Sequence, residues 1–458
     1  MGLVLNPSKC EWSWLDPECK EPCPIVLEDK PESEQVKFIP YAEIQMLEVP
    51  LGSDMFVANF VENKLLGRLN VTIDSLCEFE DTQAASYLLR VSYSIVRAVH
   101  FMRTTPLKQW QKQAEKFDEM MHTAIEKIIG APMRGPAFIQ ACLTPRLGGL
   151  GLRKTEEHAD LAYSASWHES QKTAKEKWTR PENVNETYTA QKAASYKFDE
   201  TMLEHLASTA DAREAQRLRR CAQPHANGFL TAVPSDEEGK DTVMRPINFR
   251  TAVKYRLGIP VLSKEILCPL CMQPINIYGD HAVCCAKSGD RIGRHNSLRN
   301  LLSNFASLGQ LSPILEKKGI LGPTSGRRPG DVTLMNWTGN KGLAIDVAVI
   351  SPLIQNRLSL VDPCTDYAVT QKHGKYDKSF ENKDFFFAAV VWETFGAINK
   401  EGEEVVRQIL RFAAQQLGRE FSSYCGRAWA RISCNLQTSI AAEILTRISG
   451  QVPQHSVH

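Results

Sequence analysis

No run in this sequence approaches the ~20 apolar residues that a membrane-spanning helix needs; the longest, FFFAAVVW at 385–392, has eight. The opening MGLVLNPSKCEW has no basic cluster ahead of an apolar core, and its sixth residue is Asn6. It fits neither a secretion signal nor a myristoylation pattern. Net charge is almost lacking: 54 Lys and Arg stand against 53 Asp and Glu, for +1. That excludes a polyanion-binding surface spread over the whole chain, so a nucleic-acid footprint must be local. Internal repeats and low-complexity tracts are missing too, which excludes a repeat architecture.

The composition is that of a globular protein, 43% apolar and 23% charged, so wholesale disorder is ruled out. At 458 residues the chain is too long for one compact domain, and two to four are expected. Cysteine is plentiful: thirteen, an odd number, run from Cys10 to Cys434. A chain of this size has no need of disulfide staples, so that usage points to a reducing compartment, nuclear or cytoplasmic, with no secretion and no membrane partner. Four of the thirteen cluster between 268 and 285.

The chain changes character along its length. Up to about residue 60 prolines break it, and FIPYAEIQMLEVPLGS (38–53) suggests short strands with a Pro–Leu–Gly turn. From about 60 to 220 the pattern is helical: Leu88, Val91, Ile95, Val99 and Met102 predict a helix over 84–103, and Ala114, Phe117, Met121, Ala124, Ile125 and Ile128 predict another over 111–129, stopped by Gly130. PRLGGLGLRK (145–154) fits neither a P-loop nor a dinucleotide fingerprint, which leaves a plain turn. Polar stretches at 171–187 and 234–241 are connectors. After 290 the expected order is helix, three strands, helix, strand, then two closing helices, an α/β pattern.

Two constellations carry chemistry. In CPLCMQPINIYGDHAVCC, Cys268 and Cys271 are followed by His281 and Cys285, the spacing that surrounds a tetrahedral Zn²⁺. Cys284 competes for the fourth place. Three thiolates and no vacancy make such a zinc structural. The second constellation is GRRPGDVTLMNWTGNKGLAIDVAVISP. If its halves pair around Gly339–Asn340, Asp346 lies opposite Thr333 with Asp331 diagonal to it on the same face, within roughly 7–8 Å. Ile345, Val347 and Val349 form the opposite, buried face. Two such carboxylates suit a catalytic Mg²⁺ in a phosphodiesterase. Glu316 is a possible third oxygen ligand, and Lys372 or Lys375 a possible source of positive charge for the transition state. Between 286 and 330, eight basic residues (Lys287, Arg291, Arg294, Arg299, Lys317, Lys318, Arg327, Arg328) face two acids (Asp290, Glu316). This local excess of positive charge suits phosphate contact.

These residues resemble the restriction-like endonuclease of site-specific non-LTR retrotransposons, in which a zinc knuckle precedes an Arg-His-Asn motif and a PD-(D/E)xK core. Here the motif is Arg294-His295-Asn296, followed by Asp331 in RRPGDV and Asp346 in IDVAVISP. Gly330 intervenes between Pro329 and Asp331, and Ala348 stands where the lysine is usual. The family displaces that lysine to the next helix, where KHGKYDK offers Lys372 and Lys375. Upstream, GLVLNPSKCE with Lys9 resembles the late palm of a retroelement reverse transcriptase, EVPLGS its primer grip, and the helical stretch to about 165 its thumb.

The resemblance implies a multidomain α+β chain. Residues 1–60 would be a palm remnant, 61–225 a helical thumb-like domain with its connector, 226–290 a linker with the zinc knuckle, and 291–458 an α/β restriction-endonuclease-like domain with a mixed sheet. No Tyr-x-Asp-Asp acids precede Lys9, so polymerase activity is not expected. The implied activity is Mg²⁺-dependent nicking of DNA, with Asp331 and Asp346 as metal ligands, Glu316 as helper and Lys372 or Lys375 as the catalytic lysine. Arg291, Arg294, His295, Asn296, Arg327 and Arg328 are the implied nucleic-acid contacts, and element RNA is a possible second partner. The alternative is a catalytically silent nucleic-acid-binding module.

Overall fold

The computed structural model describes residues 6–14, 18–19, 21–25, 27–28, 31–39, 43–67, 69–174, 179–233, 242–287, 289–322 and 325–448. The first residues of the palm-like GLVLNPSKCE segment and the connector at 234–241 lie outside the described residues. The architecture is mixed α+β, and no described helix is long and apolar enough to cross a membrane. The chain divides into two compact units that alternate along the sequence. The first is 1–75, 92–123 and 153–197; the second is 76–91, 124–152 and 198–458.

The first unit is mainly helical, with short helices beside the nineteen-residue Thr155–Thr173. Ser53 caps helix Asp54–Val61 by accepting from the Phe56 amide, and helix Val99–Thr104 packs on helix Thr155–Thr173. Asp118 accepts the Thr155 and Glu156 amides at 2.8 and 3.0 Å, which satisfies donors that a helix start leaves open. The hairpin Glu43–Met46/Val49–Gly52 turns at Leu47 and Glu48, both with positive φ. Pro50 and Leu51, expected in the turn, lie in its second strand.

The helix expected over 84–103 is interrupted. Thr82–Leu88 runs into a wide turn at Leu89–Tyr93, and helix restarts only at Val99. Ser94 is extended, with ψ of −150°, and the chain passes from one unit to the other at 91–92. The helix Gln111–Ile129 does form, with all six predicted apolar positions buried. In the glycine-rich turn, a Cβ on Gly149 would lie 2.0 Å from the Leu143 carbonyl oxygen. Close backbone packing accounts for that glycine.

The second unit holds a four-stranded sheet. Its strands are β1 (Pro313–Leu315), β2 (Val332–Thr338), β3 (Lys341–Ile350) and β4 (Phe385–Glu393), in the order β4-β3-β2-β1. β4 runs parallel to β3, and the other pairs are antiparallel. The helices are α1 (Asp290–Leu308), α2 (Pro363–Phe380, in three segments), α3 (Lys400–Gln416) and α4 (Phe421–Ile448). Helices cover both faces. Ile345 and Val347 point into a core shared with Leu298, Phe305, Ile409 and Ile440. Ala348, Ile350, Ala389 and Val391 pack under Cys364 and Ala368 of α2. β3 is therefore buried on both faces, as a strand beside a parallel neighbour usually is, where the sequence suggested burial of one.

Candidate functional site

The knuckle is a local construction. Strand Ile266–Leu267 pairs with Pro274–Ile275, and between them the Cys268 amide donates to Gln273 O at 2.8 Å and the Met272 amide to Cys268 O at 2.9 Å. Met272 adopts a left-handed φ of 60°, so the turn brings Cys271 back beside Cys268. Gly279, at φ 84°, starts the second turn, and Arg213 pins it through both Asp280 oxygens at 2.6 and 2.8 Å.

The sulfurs of Cys268 and Cys285 lie 3.8 Å apart, those of Cys271 and Cys285 3.7 Å, and His281 Nε2 is 3.0 Å from Cys271 Sγ. All four ligand atoms fall within 4.8 Å of one another. A tetrahedral zinc with Zn–S bonds of about 2.3 Å separates its sulfurs by about 3.8 Å, which the two sulfur pairs match, while His281 Nε2 would move outward by about 0.5 Å to complete the tetrahedron. Cys284 points elsewhere, its Sγ donating to the carbonyls of Asp280 and His281. Cys285, and not Cys284, completes the cluster that could hold a metal ion.

The two acids of the hairpin meet across adjacent strands. Gly339 and Asn340 form the turn, both with φ near +60°, and Thr338 pairs with Lys341 as expected. A bulge between Leu334 and Thr338 then takes up two extra residues of β2, so Thr333 faces Ala344, and Val332 faces Ile345. One step further along that register Asp331 is directly opposite Asp346. The expected diagonal was two residues off. Because the shift is even, both side chains keep their face.

Each carboxylate has its own basic partner. Asp331 Oδ2 accepts from the Val347 amide at 2.7 Å and lies 3.1 Å from His295 Nε2 on α1. Asp346 Oδ1 accepts from Lys372 Nζ on α2 at 2.8 Å. Burial pushes the Asp346 carboxyl up to about 6, and the neighbouring Asp331 charge, with which it shares a hydrogen bond, adds to this against the pull of Lys372. Burial acts the same way on Asp331, but there the His295 hydrogen bond and charge and the Val347 amide outweigh it, and its pKa falls below the usual value. The hydrogen bond to Asp331 raises the His295 pKa. The site is one of paired acids whose pKa values are driven apart.

A cavity of about 460 Å³ opens over these groups, lined by Arg291, His295, Asp331, Asp346, Tyr367 and Lys372 among others. Ala348 lines it as well; Lys372 reaches the same space from α2. The other expected residues sit elsewhere. Lys375 is exposed, its ammonium 4.6 Å from the Tyr376 ring. Glu316 is exposed and ties Arg299 at 2.8 Å and Arg328 at 2.5 Å; only its backbone amide reaches Asp331, at the carbonyl. Asn296 Oδ1 accepts from the other His295 nitrogen at 3.2 Å. Arg327 is exposed.

Arg294 is buried, paired with Glu443 at 2.6 Å and donating to Val283 O. Arg291 Nη1 approaches Cys284 O at 3.4 Å. Through these two arginines the knuckle secures the first turns of the helix that presents His295. Tyr367 and the Val347 amide escape sequence reading: the tyrosine sits in no recognisable motif, and the amide becomes visible only with the register. No protein-family model and no curated protein matches this chain.

Proposed function

We propose that this chain is a metal-dependent DNA endonuclease of the kind carried by site-specific non-LTR retrotransposons. The observation that carries the proposal is the meeting of Asp331 and Asp346 across adjacent strands, beside Lys372, in an open polar cavity. The donor set fits a hard divalent cation: both ligands are carboxylates, and the rise of Asp346 to about 6, caused by burial first and the Asp331 charge second, is one that a cation would oppose. When bound, Mg²⁺ there supplies charge neutralisation at a phosphate and a more acidic water. Asp331 and Asp346 would hold it.

The chain's own groups do the rest. Lys372 Nζ faces the cavity, where it balances Asp346 at rest and meets the charge that develops on the phosphate during cleavage. His295 and the Val347 amide orient Asp331. Arg291 offers a cation to a flanking phosphate. Zinc held by Cys268, Cys271, His281 and Cys285 has no vacant position and serves as a structural clamp.

Nicking of supercoiled plasmid by the purified chain with Mg²⁺ or Mn²⁺ tests this, with EDTA and Asp346→Ala as controls. Metal-dependent nicking that the substitution abolishes is expected. One observation favours a second reading, a silent nucleic-acid-binding module: each acid already has a side-chain partner, Asp331 in His295 and Asp346 in Lys372. DNA binding without nicking at any metal concentration would select it.

A further inference from the structure

The lysine that meets Asp346 sits in an unusual stretch of backbone. α2 is helical over Pro363–Tyr367 and again over Gly374–Phe380, but Ala368–His373 forms a wide turn with i→i+5 hydrogen bonds. Such turns insert a residue into a helix and re-aim the side chains around it, and they recur at functional sites. Lys372 and His373 are the last two residues of this one. Lys372 points to Asp346, and His373 points the other way, into a clamp.

His373 Nδ1 lies 2.8 Å from Asp377 Oδ1 and its Nε2 lies 2.8 Å from Glu401 Oε2. The same Glu401 oxygen accepts the Ala389 amide of β4 at 3.2 Å. Ala389 is the ladder partner of Asp346 in the parallel β3–β4 pair. The lysine's turn and the acid it meets are thus referenced to one strand position, the turn through His373 and Glu401 and the acid through the ladder.

We propose that His373 is a positioning residue for Lys372, fixing through Glu401 the wide turn that delivers the lysine ammonium to Asp346. The catalytic consequence rests on the nuclease function proposed above, while the placement of Lys372 does not. Both ring nitrogens face carboxylate oxygens, and an imidazole can donate from both only when protonated. The charged groups facing the ring are Asp377 on its own helix and Glu401 at the start of α3, while β4 presents the Phe387 ring edge-on at 5.3 Å. Burial alone would lower its pKa, but the hydrogen bonds to Glu401 and Asp377 prevail and raise it. Lys375, beyond the wide turn, is exposed and makes its ring contact with Tyr376 instead.

The test compares His373→Ala, His373→Gln and Glu401→Gln, each alone and combined with Lys372→Ala. Two readouts are taken: single-turnover plasmid nicking, and acylation of Lys372 by an amine-reactive ester, followed by mass spectrometry. His373→Ala should slow nicking by up to about 10²-fold, the scale of a misplacement near 1 Å, while plasmid affinity holds. Acylation of Lys372 should rise several-fold as its pairing with Asp346 loosens, and His373→Gln should recover part of both effects. In the Lys372→Ala background the His373 change should add nothing, because a residue that acts only through the lysine has nothing left to position.

A wild-type nicking rate together with wild-type acylation in His373→Ala would overturn the proposal and leave the nuclease function standing. So would an equal loss of nicking with and without Lys372. If the wild-type chain does not nick at all, the nuclease function fails, and acylation alone decides the positioning: increased labelling supports it, unchanged labelling defeats it. If His373→Ala does not fold, Glu401→Gln supplies the same comparison.

Discussion

The knuckle and the carboxylate site are both small polar clusters in one compact unit, but they are assembled in opposite ways. The knuckle takes all its donors from between residues 268 and 285, and two tight turns suffice to gather them. The carboxylate site takes His295 from a helix, Asp331 and Asp346 from paired strands, and Lys372 from a helix that crosses the other sheet face. The first is closed, and two of its cysteines lie in the hydrophobic core. The second opens onto a cavity and holds two acids against each other. The knuckle geometry leaves no room beyond a single ion, whereas the carboxylate site, if it works as the nuclease centre proposed above, has to stay open to a phosphate.

That contrast predicts opposite responses to removing a ligand. Cys268→Ser should release the zinc and lower Tm by about 10 °C or more, at roughly 2–4 °C per kcal/mol for a unit of this size. Metal analysis should fall from one zinc per chain towards none, while Cys284→Ser leaves both values unchanged. An equal response to the two substitutions would mean that the knuckle geometry misassigns the fourth ligand.

Asp346→Asn should act in the other direction on stability. A carboxyl raised from 3.8 to about 6 in the folded state imposes no penalty below its unfolded pKa. The penalty grows as pH rises through that window and is complete above about 6. Measured without divalent metal at pH 7.5, the asparagine variant should therefore be the more stable by up to about 2 kcal/mol, and the gain should vanish near pH 4. A variant less stable than wild type at pH 7.5 would show that the Lys372 pairing outweighs the burial cost.

The same contrast decides what could be read in the sequence. The knuckle was legible to the level of its ligands, because donor spacing within a short segment nearly determines geometry; only the choice between Cys284 and Cys285 waited for the direction of a side chain. The order of elements after 290 was legible from periodicity, and so was the two-residue turn at Gly339–Asn340. The register was not. A bulge between Leu334 and Thr338 has no composition signal in VTLMNWT, and it moved Thr333 from Asp346 to Ala344. The helix over 84–103 failed for a related reason: helical spacing persists in the residues, but the run spans the boundary between two compact units. The basic stretch misleads in a third way. Spacing counts charges but not their partners, and Arg294, Arg299 and Arg328 prove to be engaged with Glu443 and Glu316.

That last point gives the smallest effect and the finest comparison, between two arginines of α1. Both line the cavity, but Arg294 is buried against Glu443, whereas Arg291 is exposed. If phosphate contact is what the exposed arginine provides, Arg291→Ala should weaken plasmid binding several-fold and reduce the slope of log affinity against log salt by about 1, with Tm unchanged. Arg294→Met should leave the salt slope as it is and lower Tm instead, because a buried Glu443 then loses its partner. Salt titrations of the two variants separate a residue that meets the ligand from one that holds the helix in place. A shared reduction in slope would mean that the knuckle end of α1 binds nucleic acid as a body and that Arg294 acts on DNA by keeping Arg291 where it is.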